Sequence, residues 1–214
     1  MPKRVNKEKK KQRIVNSANK IFARDGYFNA KVEEIAIAAD VGKGTIYEYF
    51  SSKDDLFLNV FNNFKENVLS RFWILLDLDI SAVEKLKRFA EITAQIHFDP
   101  DLNMKILIQF RSESLNRVND AEYNKILDEY YEEINALVSG IIGDGIVDGL
   151  IKPLNKELIS RNYIAAFDGM TTQFFLNEKD YDIRAAAESI YEIFIKGTCT
   201  FAGRHSKSVE NGTE

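Results

Sequence analysis

Residues that interrupt helices are scarce in this chain of 214 residues. It contains 11 glycines and 3 prolines, whereas an all-β protein needs turn residues between many short strands. The scarcity therefore favours helices with few breaks. The single cysteine, Cys199, excludes an intramolecular disulfide and, with only two histidines in the chain, a cysteine–histidine metal site. We expect the chain to work in a reducing, cytoplasmic setting.

Long apolar runs and enzyme motifs are missing as well. No stretch reaches the ~18 apolar residues that a membrane-spanning helix needs, and the basic residues 1–15 lack the apolar stretch of a signal peptide. The motifs HExxH, GxSxG and GxGxxG and the phosphate-binding loop do not occur. We therefore predict a protein that is not an enzyme, holds no cofactor or metal, and has no membrane partner.

Charge is distributed unevenly along the chain. The net charge is −4, but residues 1–53 contain 12 Lys/Arg and 6 Asp/Glu, which gives this segment +6 and leaves −10 for the remainder. A basic segment on an acidic body attracts phosphates locally, while the body repels DNA. Residues 1–53 are therefore the candidate for nucleic-acid contact. The basic run 3–13 is either a solvated tail or a non-specific phosphate contact.

The spacing of apolar residues predicts an all-α fold. The predicted helices cover 6–25, 32–39, 43–49, a long segment that starts near Ser52, and then 84–98, 104–115, 120–147, 156–177 and 183–202. Gly26 is expected to close the first helix, and Ser52 with Asp55 resembles a capping box. The expected N-caps of the last two helices are Asn155 and Asp182, and the residues expected to end helix 120–147 are Gly143, Gly145, Gly149 and Pro153. Residues 205–214 are predicted to be a disordered tail.

The segment 31–57 carries the most informative pattern. Two short predicted helices flank a tight turn at 40–42, which is typical of a helix-turn-helix. Ile35 and Ala36 are expected to pack the first helix on the core, and Val41 and Ile46 to fix the second. The outward residues then form a candidate DNA-binding set, namely Lys31, Lys43, Gly44, Thr45, Tyr47, Tyr49 and Lys53.

Each residue of this set suits a particular DNA contact. Lys43 can reach a phosphate or a guanine edge, and Thr45 can offer its hydroxyl or methyl group to a base. Tyr47 suits a phosphate contact through its hydroxyl. Lys53 adds its charge to a helix N-terminus, which also attracts phosphate. Tyr49 is either a DNA contact or a core residue, and both interpretations stay open.

These residues together resemble the signature of the TetR family of transcriptional regulators. The resemblance covers residues 12–60 and lies in Ala18, Ile21-Phe22, Gly26-Tyr27, Ile35-Ala36, Val41, 43–47, Tyr49-Phe50 and 52–56. It implies an N-terminal three-helix helix-turn-helix domain at 1–53 and a C-terminal helical bundle at 54–204 for ligand binding and dimerisation. Lys31 and Asp40 depart from the family pattern, which often has a capping Thr and a turn Gly there. The implied function is repression at palindromic operator DNA by a homodimer, relieved by a ligand.

The body gives weaker signals for an effector site. Ligand sites in helical proteins lie between helices, among apolar side chains with a few polar groups. The polar residues that suggest such a site are His97, Gln109, Arg111, Glu113, Asn162, Asp168 and Gln173. The predicted pocket consists of Phe89, Ile96, His97, Phe110, Arg111, Phe167, Met170 and Phe174.

The body is also similar, diffusely, to regulators of fatty-acid degradation that respond to long-chain acyl-CoA. The similar stretches are 109–112, the tyrosine-rich 123–137, 149–151, 167–169 and 181–182. This resemblance implies a small hydrophobic effector, long-chain acyl-CoA, with Arg111 as a candidate contact for its head group. A hydrophobic drug-like or aromatic effector is the alternative.

The last two predicted helices are the expected dimer interface. A single helix-turn-helix reads one half-site, so such proteins gain affinity by pairing two of them. The interface residues are predicted to be small or apolar, namely Ala165, Ala166, Gly169, Ala186, Ile190, Ile193 and Phe194. These residues could instead pack within one chain.

Two functional alternatives stay open. The chain could be an activator, or a helical adaptor that no longer binds DNA.

Overall fold

The computed structural model describes the backbone of residues 2–6 and the whole of residues 7–99, 102–117, 120–176 and 180–200. In these ranges the chain forms nine α-helices and a 3₁₀ turn at Ile96–Phe98. The helices are α1 Pro2–Asn29, α2 Val32–Ala38, α3 Lys43–Tyr49, α4 Lys53–Trp73, α5 Ala82–Gln95, α6 Lys105–Asn116, α7 Ala121–Val147, α8 Lys156–Leu176 and α9 Ile183–Thr198. The predicted all-α class is confirmed. Among the described helices, none combines the length and apolar character that crossing a bilayer requires.

The chain forms two compact units that each contain two stretches of sequence. The first unit comprises Met1–Asn67 and Pro100–Asp128, and the second comprises Val68–Asp99 and Glu129–Glu214. Two of the three boundaries between them fall inside α4 and α7, and the third lies between Asp99 and Pro100. The predicted domain division between residues 53 and 54 is drawn by function and stays a prediction.

An aromatic core holds the first unit together. The ring of Phe61 on α4 stacks on that of Phe110 on α6, with centroids 3.7 Å apart, and Phe110 in turn stacks on Tyr123 of α7 at 5.1 Å. Phe57 meets Phe22 of α1 edge-on at 4.9 Å. All five side chains are buried. Burial of such large rings supplies much of the stability that short helices cannot supply alone.

Of two sequence-based expectations about helix ends in the first unit, the capping box at Ser52 is confirmed, whereas Gly26 does not close the first helix. Gly26 has φ +80°, for which glycine has no steric penalty, and it kinks α1, which continues to Asn29. At the start of α4, the backbone N–H of Asp55 donates to Ser52 Oγ at 3.0 Å. The Asp55 carboxylate accepts the N–H of Ser51 at 2.7 Å, so the capping box is completed one residue earlier than in the usual pattern.

The second unit is built on α5, α8 and α9, with α5 packing mainly against α9. Phe89 of α5 lies 4.5 Å from Phe72 and 5.6 Å from Phe167, measured between ring centroids. The buried hydroxyl of Tyr163 on α8 donates to the carbonyl oxygen of Leu86 on α5 at 2.9 Å. Asn155 and Asp182 cap α8 and α9 as predicted, accepting backbone N–H groups at 2.9 to 3.1 Å.

In the second unit one predicted helix end is wrong, and two of the glycines expected to end α7 do not end it. Helix α9 ends at Thr198 and not at residue 202, because the chain there pairs with an earlier segment and Cys199 forms an antiparallel bridge with Ile151. Helix α7 does end at Val147, but Gly143 and Gly145 lie inside it. Gly149, with φ +70°, follows the end. The predicted tail 205–214 lies outside the described residues.

Candidate functional site

Helices α2 and α3 form the predicted helix-turn-helix, joined by residues 39–42. Asp40 in this turn has φ +50°, the one positive value among the described non-glycine residues. Its carbonyl oxygen accepts the Arg13 guanidinium at 3.1 Å, and the Val41 N–H donates to the Ala36 carbonyl at 3.0 Å. Asp40 thus adopts the conformation that a turn glycine usually supplies, one that Asp tolerates better than most residues.

Helix α3 presents one face to the core and one to solvent. Ile46 and Phe50 are each 1% exposed and hold the helix in place. Lys43 and Gly44 are exposed, and Tyr47 is 48% exposed. The remaining candidates of α3, Thr45 and Tyr49, are half-buried. A short helix with an uncovered polar face is the form in which a recognition helix enters a major groove.

Lys43 is held by an acidic neighbour on α2. Its Nζ lies 2.5 Å from Oε1 of Glu33, and both side chains are exposed. The hydrogen bond to Glu33 and the charge of that carboxylate raise the pKa of Lys43. Lys43 is therefore fully charged, but its charge is locally compensated. Lys31 is exposed at the N-cap of α2, where its side chain makes no capping hydrogen bond.

Lys53 lies in the first turn of α4, where its ammonium is anchored to the end of α1. Nζ donates to the carbonyl oxygen of Phe28 at 3.1 Å and lies 4.8 Å from the ring centroid of Tyr27. Desolvation by partial burial lowers the pKa of Lys53. All seven candidate DNA-binding residues thus lie in the first unit. Five are on α3, and the other two stand at the N-terminal ends of α2 and α4.

Sequence reasoning missed a polar cluster beside Lys53. Arg117, at the end of α6, lies 2.9 Å from Oδ1 of Asp54 in the first turn of α4. The hydroxyls of Tyr27 and Tyr123 also donate to this oxygen. Asp54 and Tyr27 belong to the sequence signature, but nothing in the spacing points to Arg117, which is far away along the chain.

Most of the predicted effector residues lie in the second unit. Phe89, Ile96, Phe167 and Met170 are buried there. His97 stands beside Phe174, with ring centroids 5.4 Å apart. Ile96 also lines an opening of ≈ 340 Å³ whose other walls are Arg71, Ile74, Leu75, Leu78, Arg88, Ile92, Gln95 and Asp99.

The hydrogen bonds of His97 define which of its nitrogens carries the proton. Nδ1 lies 2.8 Å from the carbonyl oxygen of Thr93, which can only accept, so Nδ1 is protonated. Nε2, 3.1 Å from Oγ1 of Thr171, then accepts that hydroxyl. Burial lowers the pKa of His97, because the charged imidazolium is poorly solvated there.

Two predicted effector residues, Phe110 and Arg111, lie in the first unit. Phe110 belongs to the aromatic core already described, and Arg111 is half-buried on α6. Of the polar residues that suggested a ligand site, Glu113 is buried and Asp168 accepts the Tyr131 hydroxyl at 2.8 Å. Asn162 and Gln173 are exposed on α8. The predicted pocket thus draws on both units and remains a prediction.

The predicted dimer interface is largely uncovered in the single chain. Ala165, Ala166 and Gly169 are exposed on α8, and Ile193 on α9 is 69% exposed. The half-buried members of the set are Ala186, Ile190 and Phe194. Phe194 also packs on Tyr163, with centroids 4.4 Å apart. Leu158 and Leu176 extend the exposed apolar stripe at the two ends of α8.

The fold and the helix-turn-helix define a DNA-binding transcriptional regulator, and comparison with known families agrees. Residues 14–60 match the family model described as bacterial regulatory proteins, tetR family. Residues 66–197, more than half of the chain, match the model of the C-terminal region of YsiA-like proteins. The chain belongs to the TetR family, with a YsiA-like C-terminal region. Because this family consists of transcriptional regulators, the prediction that the chain is not an enzyme is confirmed.

Individual relatives and solved structures agree with this assignment. The fatty acid metabolism regulator protein of Bacillus subtilis (strain 168) is 29% identical over 195 residues, covering 89% of this chain and 96% of the relative. The structure of FadR from Bacillus subtilis in complex with stearoyl-CoA has a TM-score of 0.73 and 25% identity, covering 87% of this chain and 98% of that one. The fold is shared by a transcriptional regulator from Saccharomonospora viridis in complex with choline. That structure has a TM-score of 0.80 and 19% identity, covering 90% of this chain and 99% of that one.

Proposed function

We propose that this chain is a repressor that binds palindromic operator DNA as a homodimer and is released by a small hydrophobic effector, namely long-chain acyl-CoA. The observation that carries the proposal is the outward face of α3. Lys43, Gly44 and Tyr47 are exposed there, while Ile46 and Phe50 fix the helix on the core. The proposed site of action is the cytoplasm, because the proposed partner is chromosomal DNA.

The proposed DNA contacts divide into base reading and phosphate binding. Lys43 and Thr45, in the first turn of α3, read base edges in the major groove. Tyr47 and Lys53 bind phosphates, Lys53 with the help of the N-terminus of α4. Lys31 and Tyr49 contribute further contacts to the DNA phosphate backbone. Lys43 exchanges Glu33 for DNA on binding, which costs little because both side chains of this ion pair are exposed to solvent.

The proposed dimer pairs α8 and α9 of one protomer with those of its partner. Its support is the uncovered stripe of small and apolar residues on these helices. Small side chains allow close approach of helices, and two helices from each protomer form a four-helix contact. In such a dimer, two recognition helices about 34–36 Å apart match successive major grooves on one side of the duplex.

The effector proposal is supported by the similarity to the fatty acid metabolism regulator and by the aromatic and aliphatic side chains of the second unit. In this proposal, residues 1–53 bind DNA and residues 54–204 bind the effector and the partner. The acyl chain lies among apolar residues of the second unit, namely Phe89, Ile96, Phe167, Met170 and Phe174. Release requires that the effector bind the DNA-free arrangement more tightly, since only a difference in affinity shifts an equilibrium.

The test is a DNA-binding titration. A duplex selected by the wild-type chain from a random-sequence pool is bound at fixed salt, and stearoyl-CoA, butyryl-CoA, free CoA or stearate is added. Only stearoyl-CoA is expected to release the duplex at micromolar concentration. Release by none of the four, with DNA binding intact, would contradict the effector class. A hydrophobic drug-like compound that releases the duplex instead would favour the alternative effector.

A further inference from the structure

A single carboxylate oxygen ties four segments of the first unit together. Oδ1 of Asp54 accepts hydrogen bonds from Tyr27 and from Tyr123, the latter at 3.3 Å, and lies 2.9 Å from the guanidinium of Arg117. Tyr27 stands at the end of α1 and Asp54 at the start of α4. Arg117 follows α6, and Tyr123 lies in the first turn of α7. The Asp54 side chain therefore joins the DNA-binding helices to the connection between α6 and α7.

Arg117 is fixed from several directions. Its Nε lies 3.3 Å from Oε2 of the buried Glu113, one turn earlier on α6. Its guanidinium carbon lies 4.7 Å from the ring centroid of Tyr123 and 5.3 Å from that of Tyr27. A planar guanidinium with two carboxylate partners and two aromatic neighbours has little rotational freedom. Arg117 is thus a rigid connector rather than a mobile surface cation.

Tyr27, which contacts Arg117, also supports Lys53. The Lys53 ammonium lies 4.8 Å from the ring centroid of Tyr27 and is anchored to the carbonyl oxygen of Phe28, the next residue. Tyr27 is therefore shared between Lys53 and Arg117. Lys53 and Arg117 thus both lie against the ring of Tyr27, and Asp54 holds the hydroxyl of that tyrosine.

The charge states of the cluster suit this arrangement. Burial raises the pKa of Asp54, but hydrogen bonds from Tyr27 and Arg117 outweigh it, so the pKa lies below its ordinary value and the group is a carboxylate. Burial and the hydrogen bond to Asp54 raise the pKa of Tyr27 to about 12. Tyr27 therefore remains a hydrogen-bond donor at neutral pH.

The geometry points to Arg117 and Asp54 as positioning residues for DNA binding: they hold Tyr27, and through it the Lys53 ammonium, in the place where a phosphate is bound. This inference rests on the proposed function. It adds a route for regulation, because the ion pair between Arg117 and Asp54 links the end of α6 to the first turn of α4.

A double-mutant cycle tests the inference. The dissociation constant for the selected duplex is measured between low and high KCl for wild type, R117Q, K53Q and the double variant, well below each melting temperature. R88Q is the control, because Arg88 is an exposed arginine of the second unit that is also paired with two carboxylates. Loss of one phosphate contact reduces affinity roughly tenfold at 0.1 M salt and lowers the salt slope by about 1.

We expect R117Q and K53Q each to show this loss of affinity and this smaller salt slope. The double variant should lose no more affinity than either single variant, and R88Q should bind DNA as wild type does. Additive losses would mean that Arg117 acts independently of Lys53, and a loss in R117Q with an unchanged salt slope would mean that Arg117 supports only the fold. Either result overturns the positioning role. The two proposals fail separately. Wild-type binding without salt dependence contradicts the proposed function, whereas intact binding with an additive cycle contradicts only the positioning role.

Discussion

Lys43 and Glu33 form an ion pair across the turn between α2 and α3, with Nζ and Oε1 2.5 Å apart. The first cation of the recognition helix is thus already engaged with a carboxylate of the preceding helix. Both side chains are about half exposed, so the pair is screened by water and salt and is easily exchanged. In the proposed DNA complex, Glu33 would therefore compete with DNA for Lys43.

Replacement of Glu33 by Gln is expected to strengthen DNA binding. The variant frees Lys43 and removes a negative charge from the binding face, so affinity for an arbitrary duplex should rise roughly three- to tenfold at low salt, with a steeper salt dependence. Fluorescence anisotropy over a KCl series measures both. E66Q is the control, because it removes an exposed carboxylate from α4, a helix that is not part of the helix-turn-helix. An equal gain in E66Q would trace the effect to net charge alone.

The combined change of Tyr47 and Lys53 to Ala should abolish operator binding. Both residues are proposed phosphate contacts. Their loss removes two contacts and reduces by about 2 the slope of log affinity against log salt concentration. Because Tyr47 is 48% exposed and Lys53 is only partly buried, the melting temperature and the oligomeric state should change little. Unchanged DNA affinity in a folded double variant would remove this site assignment.

The parts of the structure that the sequence predicts correctly depend on local signals. The bounds of α3, Lys43–Tyr49, follow from a turn on one side and a capping box on the other. The left-handed φ of Gly26 and the caps at Asn155 and Asp182 depend on residues a few positions apart. Hydrophobic spacing adds the buried face of each helix, because its period matches the helical turn.

The parts that could not be predicted depend on contacts between distant segments. Helix α9 stops at Thr198 because the following residues pair with the segment around Ile151, which no local pattern signals. Arg117 and Asp54 meet although more than sixty residues separate them along the sequence. For the same reason a list of apolar residues could not reveal that Phe110 and Phe89 belong to different compact units.

The dimer proposal predicts that a charge at Ile193 prevents association. Ile193 is 69% exposed in the single chain, so Asp is tolerated there in a monomer but is buried without a partner in a dimer. Sedimentation velocity should find I193D monomeric and wild type dimeric. L115D, which places the same charge on an exposed leucine of α6, is expected to remain a dimer. A dimeric I193D would shift the interface away from α9.

His97 should make the protein less stable under mildly acidic conditions. Burial lowers its pKa below the ordinary 6.5, so the unfolded chain binds a proton that the folded chain does not. The contribution of neutral His97 to the free energy of unfolding is then fully present above about pH 6.5. It declines as the pH falls toward the lower pKa of the folded state. Urea unfolding at pH 7 and pH 5 should detect the decline in wild type.

A matched pair of variants assigns this effect to His97. H97Q should show a smaller difference between the two pH values, whereas H205Q, which removes the other histidine of the chain, should keep the wild-type difference. The same decline in H97Q as in wild type would mean that other groups cause it.

Gly145 is required by the close packing of α7 in the second unit. A Cβ atom there would lie 2.7 Å from Cδ1 of Ile151 and 2.9 Å from Cβ of Ala82. The isoleucine can rotate away, but the alanine Cβ is fixed to the backbone of α5, so G145A should destabilise the fold by about 1–3 kcal/mol. G140A is the control, because a Cβ at Gly140 in the same helix meets nothing within 4 Å and the better helix propensity of Ala should stabilise by ~0.5–1 kcal/mol. Chemical denaturation compares the two, and a G145A variant as stable as G140A would show that this contact yields without cost.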